Sequence, residues 1–227
     1  MGKLYGVSVG AGEPELITLK AVRIIKECSV IAVPRTSGKS LALSIAEKTV
    51  DLSDKKIIYM DFPMSRDRNI LSENYSRLAE TLCNELARND VAMLSLGDIS
   101  VYSTFGYVAE RVQKKGFIVE VCAGVTSFCA SSARLVIPLV RESEKLHIIP
   151  YSRENITDCD FSDGIYVIMK CGHNVAELVD ILSEKNLHNV YAVENCGLPD
   201  EKVYRNFGEM KHCGYFTVFI IEENKDA

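Results

Sequence analysis

Five short apolar runs punctuate the first 140 residues, and the way they alternate with other segments restricts the fold more than any other feature of the chain. KLYGVSV at 3–9, SVIAV at 29–33, KKIIY at 55–59, VAMLSL at 91–96 and FIVEV at 117–121 are strand-length and rich in β-branched or aromatic residues. Helical periods lie between them. Leu19, Val22, Ile25 and Cys28 follow the candidate N-cap Thr18, residues 39–49 read as helical, and Leu71, Tyr75, Leu78, Leu82 and Leu86 mark a long amphipathic helix over 69–88. Tyr107, Val108, Arg111 and Val112 continue the pattern, and a small-residue run, FCASSARL, ends before Pro138. Strand and helix in alternation predict a mainly parallel sheet with helices on its faces.

The polar stretch Arg141-Glu142-Ser143-Glu144-Lys145 interrupts this rhythm and reads as a linker between a domain at 1–140 and a second at 146–227. Strands are expected at 146–149, 164–169 and 189–193, with a helix at 174–184, a hairpin arm at 201–206 and a closing strand, YFTVFII, at 215–221. The tail EENKDA reads as frayed. Shorter helices and an aromatic closing strand predict a mixed-sheet α/β domain. A length of 227 residues accommodates two domains of about 100 residues each.

Composition removes several function classes. The hydrophobic fraction is 47%, the charged fraction 25% and the net charge −5, a soluble globular balance without the cationic excess that a general nucleic-acid binder needs. No apolar run approaches the roughly 20 residues that span a bilayer, and the N-terminus reads as a strand and glycine loop rather than a signal peptide. A cytoplasmic protein is expected. None of the eight cysteines forms a C-x-x-C pair, so reduced thiols and no metal site are expected.

Two phosphate-binding look-alikes fail on inspection. Thr36-Ser37-Gly38-Lys39-Ser40 ends like a P-loop but has Val33 where the upstream glycine belongs. Gly10-Ala11-Gly12 follows the first strand like a dinucleotide fingerprint, yet Glu15 stands where pyrophosphate would dock. No serine sits in a G-x-S-x-G elbow. Of the four histidines, His173 is the best site candidate because it follows Cys171-Gly172 at a strand end.

Three glycine-bearing loops remain, at 10–15, 97–104 and 123–128, each after a strand of the first domain. In a parallel sheet they open on one edge. Their groups are expected to be mainly backbone N–H, hydroxyls and one carboxylate, Asp98, which suits a zwitterionic or cationic ligand. Asp98 could also simply cap a strand-to-helix turn.

Taken in order, GAGEPELIT at 10–18, GDISVYST at 97–104 and AGVTS at 123–127 resemble the tetrapyrrole methylase family, and the likeness extends past the linker to nearly the whole chain. Ala11 and Ala123 stand where many members have proline, and Ile99 where a proline is frequent. Within the family, KLYGVSVGAGEPELITLKA, Val33-Pro34, AGVTSF and IMKCG are most similar to the branch that methylates C-20 of precorrin-2 or cobalt-factor II in vitamin B12 biosynthesis.

The resemblance implies an S-adenosylmethionine-dependent C-methyltransferase with two α/β domains and the active cleft between them. S-adenosylhomocysteine is the implied product. By family position the cofactor contacts are Leu96, Gly97, Asp98, Val101, Tyr102, Ser103, Thr126, Ser127, Met169, Glu194 and Thr217, with Asp98 and Tyr102 as catalytic candidates. Gly12, Pro14, Lys20, Arg35, Lys39 and Lys170 are candidate tetrapyrrole contacts, the four cations among them and Arg153 serving its carboxylates. No metal ligand is implied, and a homodimer without nucleic-acid or membrane partners is expected. Two alternatives keep the fold: methylation of another corrin-pathway carbon or of uroporphyrinogen III, and a non-catalytic tetrapyrrole or nucleotide carrier.

Overall fold

The computed structural model describes residues 1–35, 40–63, 65, 67–185, 187 and 189–222. The chain divides into two compact units, Met1–Thr126 and Ser127–Ala227.

In the first unit, β1 (Lys3–Ser8), β2 (Val30–Arg35), β3 (Lys56–Asp61), β4 (Val91–Ser95) and β5 (Ile118–Cys122) form one sheet in the order β3-β2-β4-β1-β5, and every pair is parallel. The helices are α1 (Leu19–Glu27), α2 (Leu41–Ala46), α3 (Arg68–Leu86) and α4 (Phe105–Lys114). They cover both faces, which explains the continuous apolar runs in the central strands. Ile31 and Val33 of β2 face a core with Ile24, Ile25 and Ile45, whereas Val30 and Ala32 face Leu78 and Leu82 on the opposite side.

Two positions depart from the simple pattern. Leu19 shares the helical spacing of Val22, Ile25 and Cys28 but is 89% exposed, whereas Ile25 and Cys28 are buried together with Ala21 and Ile24. Thr18 does cap the helix, accepting from the Ala21 N–H at 3.1 Å, so Leu19 sits in its first turn. Strand β2 runs through Pro34 rather than stopping there. Its pairing with β4 ends at Ala32, so the proline occupies an edge-like stretch paired only with β3.

In the second unit, α5 (Ser127–Leu135) precedes β6 (Leu146–Pro150), α6 (Arg153–Asp158), β7 (Ile165–Met169), α7 (Val175–Glu184), β8 (Val190–Glu194), β9 (Lys202–Tyr204) and β10 (Thr217–Glu222). The sheet order is β6-β7-β10-β8-β9, with β6 and β7 parallel and β10 antiparallel to both β7 and β8. The mixed sheet is therefore as expected, and the hairpin arm is β9, antiparallel to β8. The division of the chain falls ahead of α5, not at the polar stretch 141–145. Helix α5 packs on β8 and β10, which ties it to the second unit.

All eight cysteines are free thiols. Burial pushes the Cys171 thiol up to about 12 and those of Cys196 and Cys213 up to about 11, so all three are protonated at neutral pH.

Candidate functional site

A parallel sheet delivers the C-terminal ends of its strands to one edge, and the order β4-β1-β5 sets Ser95, Ser8 and Cys122 side by side there. The three glycine loops leave from these ends and are joined to one another. Gly10 and Gly97 form an antiparallel bridge, with Gly97 N donating to Gly10 O at 2.7 Å and Gly10 N to Gly97 O at 3.3 Å. Both have φ near +70°, which a side chain would resist. Gly124 closes the set. A Cβ there would overlap the Ser8 Cβ and come within 3.0 Å of Gly97 O.

Asp98 fastens these loops. It is 7% exposed; its Oδ2 accepts from the Gly124 N–H at 2.6 Å, and its Oδ1 accepts from the Ser100 N–H at 2.8 Å and from the Ser100 hydroxyl. Burial alone would raise its pKa. The Gly124 N–H and the two Ser100 donors outweigh burial and hold the carboxyl below the usual carboxylate range. A depressed folded-state pKa adds stability above the ordinary aspartate value, and that stability is lost as pH falls through the folded value. In denaturant titrations, the stability gap between wild type and Asp98→Asn is therefore expected to be full at pH 7 and to narrow below about pH 4. A gap independent of pH would count against the ionised network.

Several of the loop N–H groups are engaged within the protein rather than open to a ligand. Besides Gly97, Ser100 and Gly124, the Ile99 N–H donates to Ser8 Oγ at 2.9 Å and Val101 N to Asp98 O at 3.2 Å. These five amides are spent within the protein.

The remaining first-unit candidates are more dispersed. Ser103 Oγ accepts from the Phe105 N–H at 3.2 Å and lies 3.3 Å from Ser95 Oγ, so it caps α4 and ties it to β4. Tyr102 has φ +49° and is 43% exposed. With Ile99, Ser100, Tyr107, Val119 and Val121 it lines a cleft of about 460 Å³ beside the loop. Leu96, Val101 and Thr126 are half-buried. Gly12 has φ +109° and Pro14 opens a 3-10 turn. Lys20 is exposed on α1. Arg35, at the end of β2, is already engaged in a two-pronged pair with Asp61 at 2.8 and 2.7 Å and lies 5.0 Å over the Tyr59 ring. Lys39 lies outside the described residues.

In the second unit, Met169 ends β7, Glu194 ends β8 and Thr217 begins the antiparallel β10, so all three share one edge of that sheet. Met169 is half-buried, and its carbonyl accepts from the Tyr151 N–H at 2.7 Å. Glu194 is 7% exposed and accepts from the Tyr204 hydroxyl at 2.7 Å. Thr217 directly opposes it and donates its hydroxyl to Gly214 O at 2.8 Å. Lys170 is exposed with φ +63°. Arg153 pairs with Glu177 at 2.9 Å. His173 stacks edge-on against Tyr215 at 5.6 Å between ring centroids, and Ser127 opens α5. Sequence reasoning passed over Ser8 and Tyr204. Ser8 lies inside an apolar strand, where only its adjacency to the first glycine loop could have marked it.

Among known proteins, the chain is 36% identical to the "Probable cobalt-precorrin-2 C(20)-methyltransferase" of Methanocaldococcus jannaschii, over 98% of this chain and 97% of that one. It is 29% identical to the cobalt-precorrin-2 C(20)-methyltransferase of Salmonella typhimurium over the same shares. A solved structure with the same fold is the uroporphyrin-III C-methyl transferase of Thermus thermophilus complexed with S-adenyl homocysteine. Its TM-score is 0.72 at 22% identity, covering 97% of this chain and 92% of that one. The profile of the Tetrapyrrole (Corrin/Porphyrin) Methylases matches residues 3–210, and the chain belongs to that family.

Proposed function

We propose that the protein transfers a methyl group from S-adenosylmethionine to C-20 of precorrin-2 or its cobalt-containing counterpart, cobalt-factor II, in cobalamin biosynthesis. The observation that carries this reading is the union of three glycine loops at one sheet edge, fastened to one another through Gly10, Gly97, Asp98 and Gly124. The full-length relatives named for C-20 methylation favour the acceptor, and those whose names include cobalt are the more similar, at 36% and 29% identity against 27% for a precorrin-2 enzyme of Sinorhizobium.

S-adenosylmethionine, when bound, supplies a methyl group on a positively charged sulfur. Displacement at such a methyl needs no enzyme nucleophile, so the residues serve mainly to hold and align, which can lower a barrier by about 7 kcal/mol or more. In this proposal Leu96, Gly97, Val101, Tyr102, Ser103 and Thr126 hold the methionine portion, and the Asp98 carboxylate balances its charge. Met169, Glu194, Thr217 and Ser127 contact the remainder of the cofactor. Gly12, Pro14, Lys20, Arg35, Lys39 and Lys170 serve the acidic acceptor.

The deciding experiment incubates the protein with S-adenosylmethionine and either precorrin-2 or cobalt-factor II without oxygen. A gain of one methyl by mass spectrometry with only one of them identifies the acceptor. A gain with uroporphyrinogen III alone moves the acceptor, and no gain with any of the three overturns the assignment. Because the acceptor is polyanionic, its apparent KM should rise with ionic strength while that for S-adenosylmethionine changes little. A flat response would remove the cationic contacts from the proposal. The proposal includes a cytoplasmic homodimer, for which light scattering should give about twice the chain mass of 25.2 kDa.

A further inference from the structure

Ser8 is a polar residue in the wrong company. It is 0% exposed and sits at the end of β1 among apolar neighbours, yet its hydroxyl has one defined task, accepting the Ile99 N–H at 2.9 Å. Ile99 itself is 4% exposed, so without Ser8 its amide would have no water to turn to. The neighbouring backbone bond, Val9 N to Ser95 O at 2.9 Å, fixes β1 against β4 immediately beside it. The Cβ of Ser8 also occupies the space that obliges residue 124 to be glycine, and Gly124 in turn delivers its N–H to Asp98. One small side chain thus touches the loop after β4 through its oxygen and the loop after β5 through its carbon. Alanine would keep the second contact and lose the first, which makes the two separable.

We propose that Ser8 is a positioning residue for the ligand-holding turn at 97–101, setting its form through the Ile99 amide. The ligand assignment rests on the methyl-donor reading above, whereas the positioning of the turn does not. The role is distinct from that of Asp98. Asp98 ties the turn to Gly124 from within the loop, while Ser8 anchors it to the sheet.

The test compares Ser8→Ala and Ser8→Cys, the latter near in size but a poor acceptor, with Ser40→Ala. Ser40 is another buried serine of the same unit, which caps α2 by accepting the Leu43 N–H at 3.3 Å. Hydrogen exchange of the free protein should show protection over 97–101 falling about tenfold in both Ser8 variants and unchanged in Ser40→Ala. By calorimetry, the Kd for S-adenosylhomocysteine should rise about tenfold in the Ser8 variants, while kcat at saturating cofactor stays within about twofold of wild type. Unchanged exchange over 97–101, or an equal loss in Ser40→Ala, overturns the proposal. If wild-type protein binds no S-adenosylhomocysteine, the methyl-donor reading falls, and the exchange comparison still decides whether Ser8 positions the turn.

Discussion

Replacing Asp98 with alanine should weaken S-adenosylhomocysteine binding by about tenfold or more, because the change removes hydrogen bonds to a charged acceptor, each contributing about 1.5–3 kcal/mol. The Gly124 N–H and the Ser100 N–H both end on this carboxylate. Asp98→Asn separates two ways the carboxylate could matter. An amide retains an acceptor for Ser100 but cannot offer both oxygens as the carboxylate does, so it must either turn its NH2 toward the Gly124 N–H or give up Ser100. If geometry dominates, Asn behaves nearly like Ala in calorimetry. If charge balance alone dominates, cofactor and uncharged analogue respond differently, and the analogue is spared. Unchanged affinity in Asp98→Ala would remove the residue from the site.

The second large effect is expected at Gly124. An alanine there forces its methyl group against the Ser8 Cβ and toward Gly97 O, in backbone that already carries the bridge between the first two loops. Overpacking of this kind costs about 1–3 kcal/mol. Thermal unfolding should shift down accordingly, and S-adenosylhomocysteine binding should fall in parallel. Gly106 provides the contrast. It lies within α4, and an added Cβ would meet nothing within 4 Å. Gly106→Ala should therefore stabilise by about 0.5–1 kcal/mol through helix propensity. Equal effects of the two substitutions would mean that the crowding at Gly124 is relieved at no cost.

Much of this architecture is written in local pattern. Val30–Val33 is apolar at every position because alternate residues meet cores on opposite faces of the sheet, and such runs between amphipathic helices signal a parallel sheet directly. The loops were legible through their glycines. What pattern could not convey was the destination of hydrogen bonds. The Ile99 amide ends on a serine 91 positions away, so no local reading could tell whether the 97–101 turn presents donors or acceptors. Helical spacing likewise placed Leu19 in α1 without showing that its side chain is exposed. Arg35 was recognisable as a cation at a strand end, whereas its engagement by Asp61 depended on β3 pairing beside β2. The polar run 141–145 looked like a boundary, yet the packing of α5 placed the division earlier.

The pairing of β1 also dictates when the site can come into being. Lys3 meets Glu120 across 117 positions, and β1 has no sheet neighbour earlier in the chain than β4. Closing intervals of that length costs chain entropy before the contacts that repay it have formed. A nascent chain therefore carries its first strand unpaired while α1, β2, α2, β3 and α3 are synthesised. The ligand-holding edge is assembled only after the strand ending at Cys122 has left the ribosome. Chains released before β4 is complete would expose Leu4, Val7 and Val9, three residues that are wholly buried in the finished protein, and would be natural targets for chaperones.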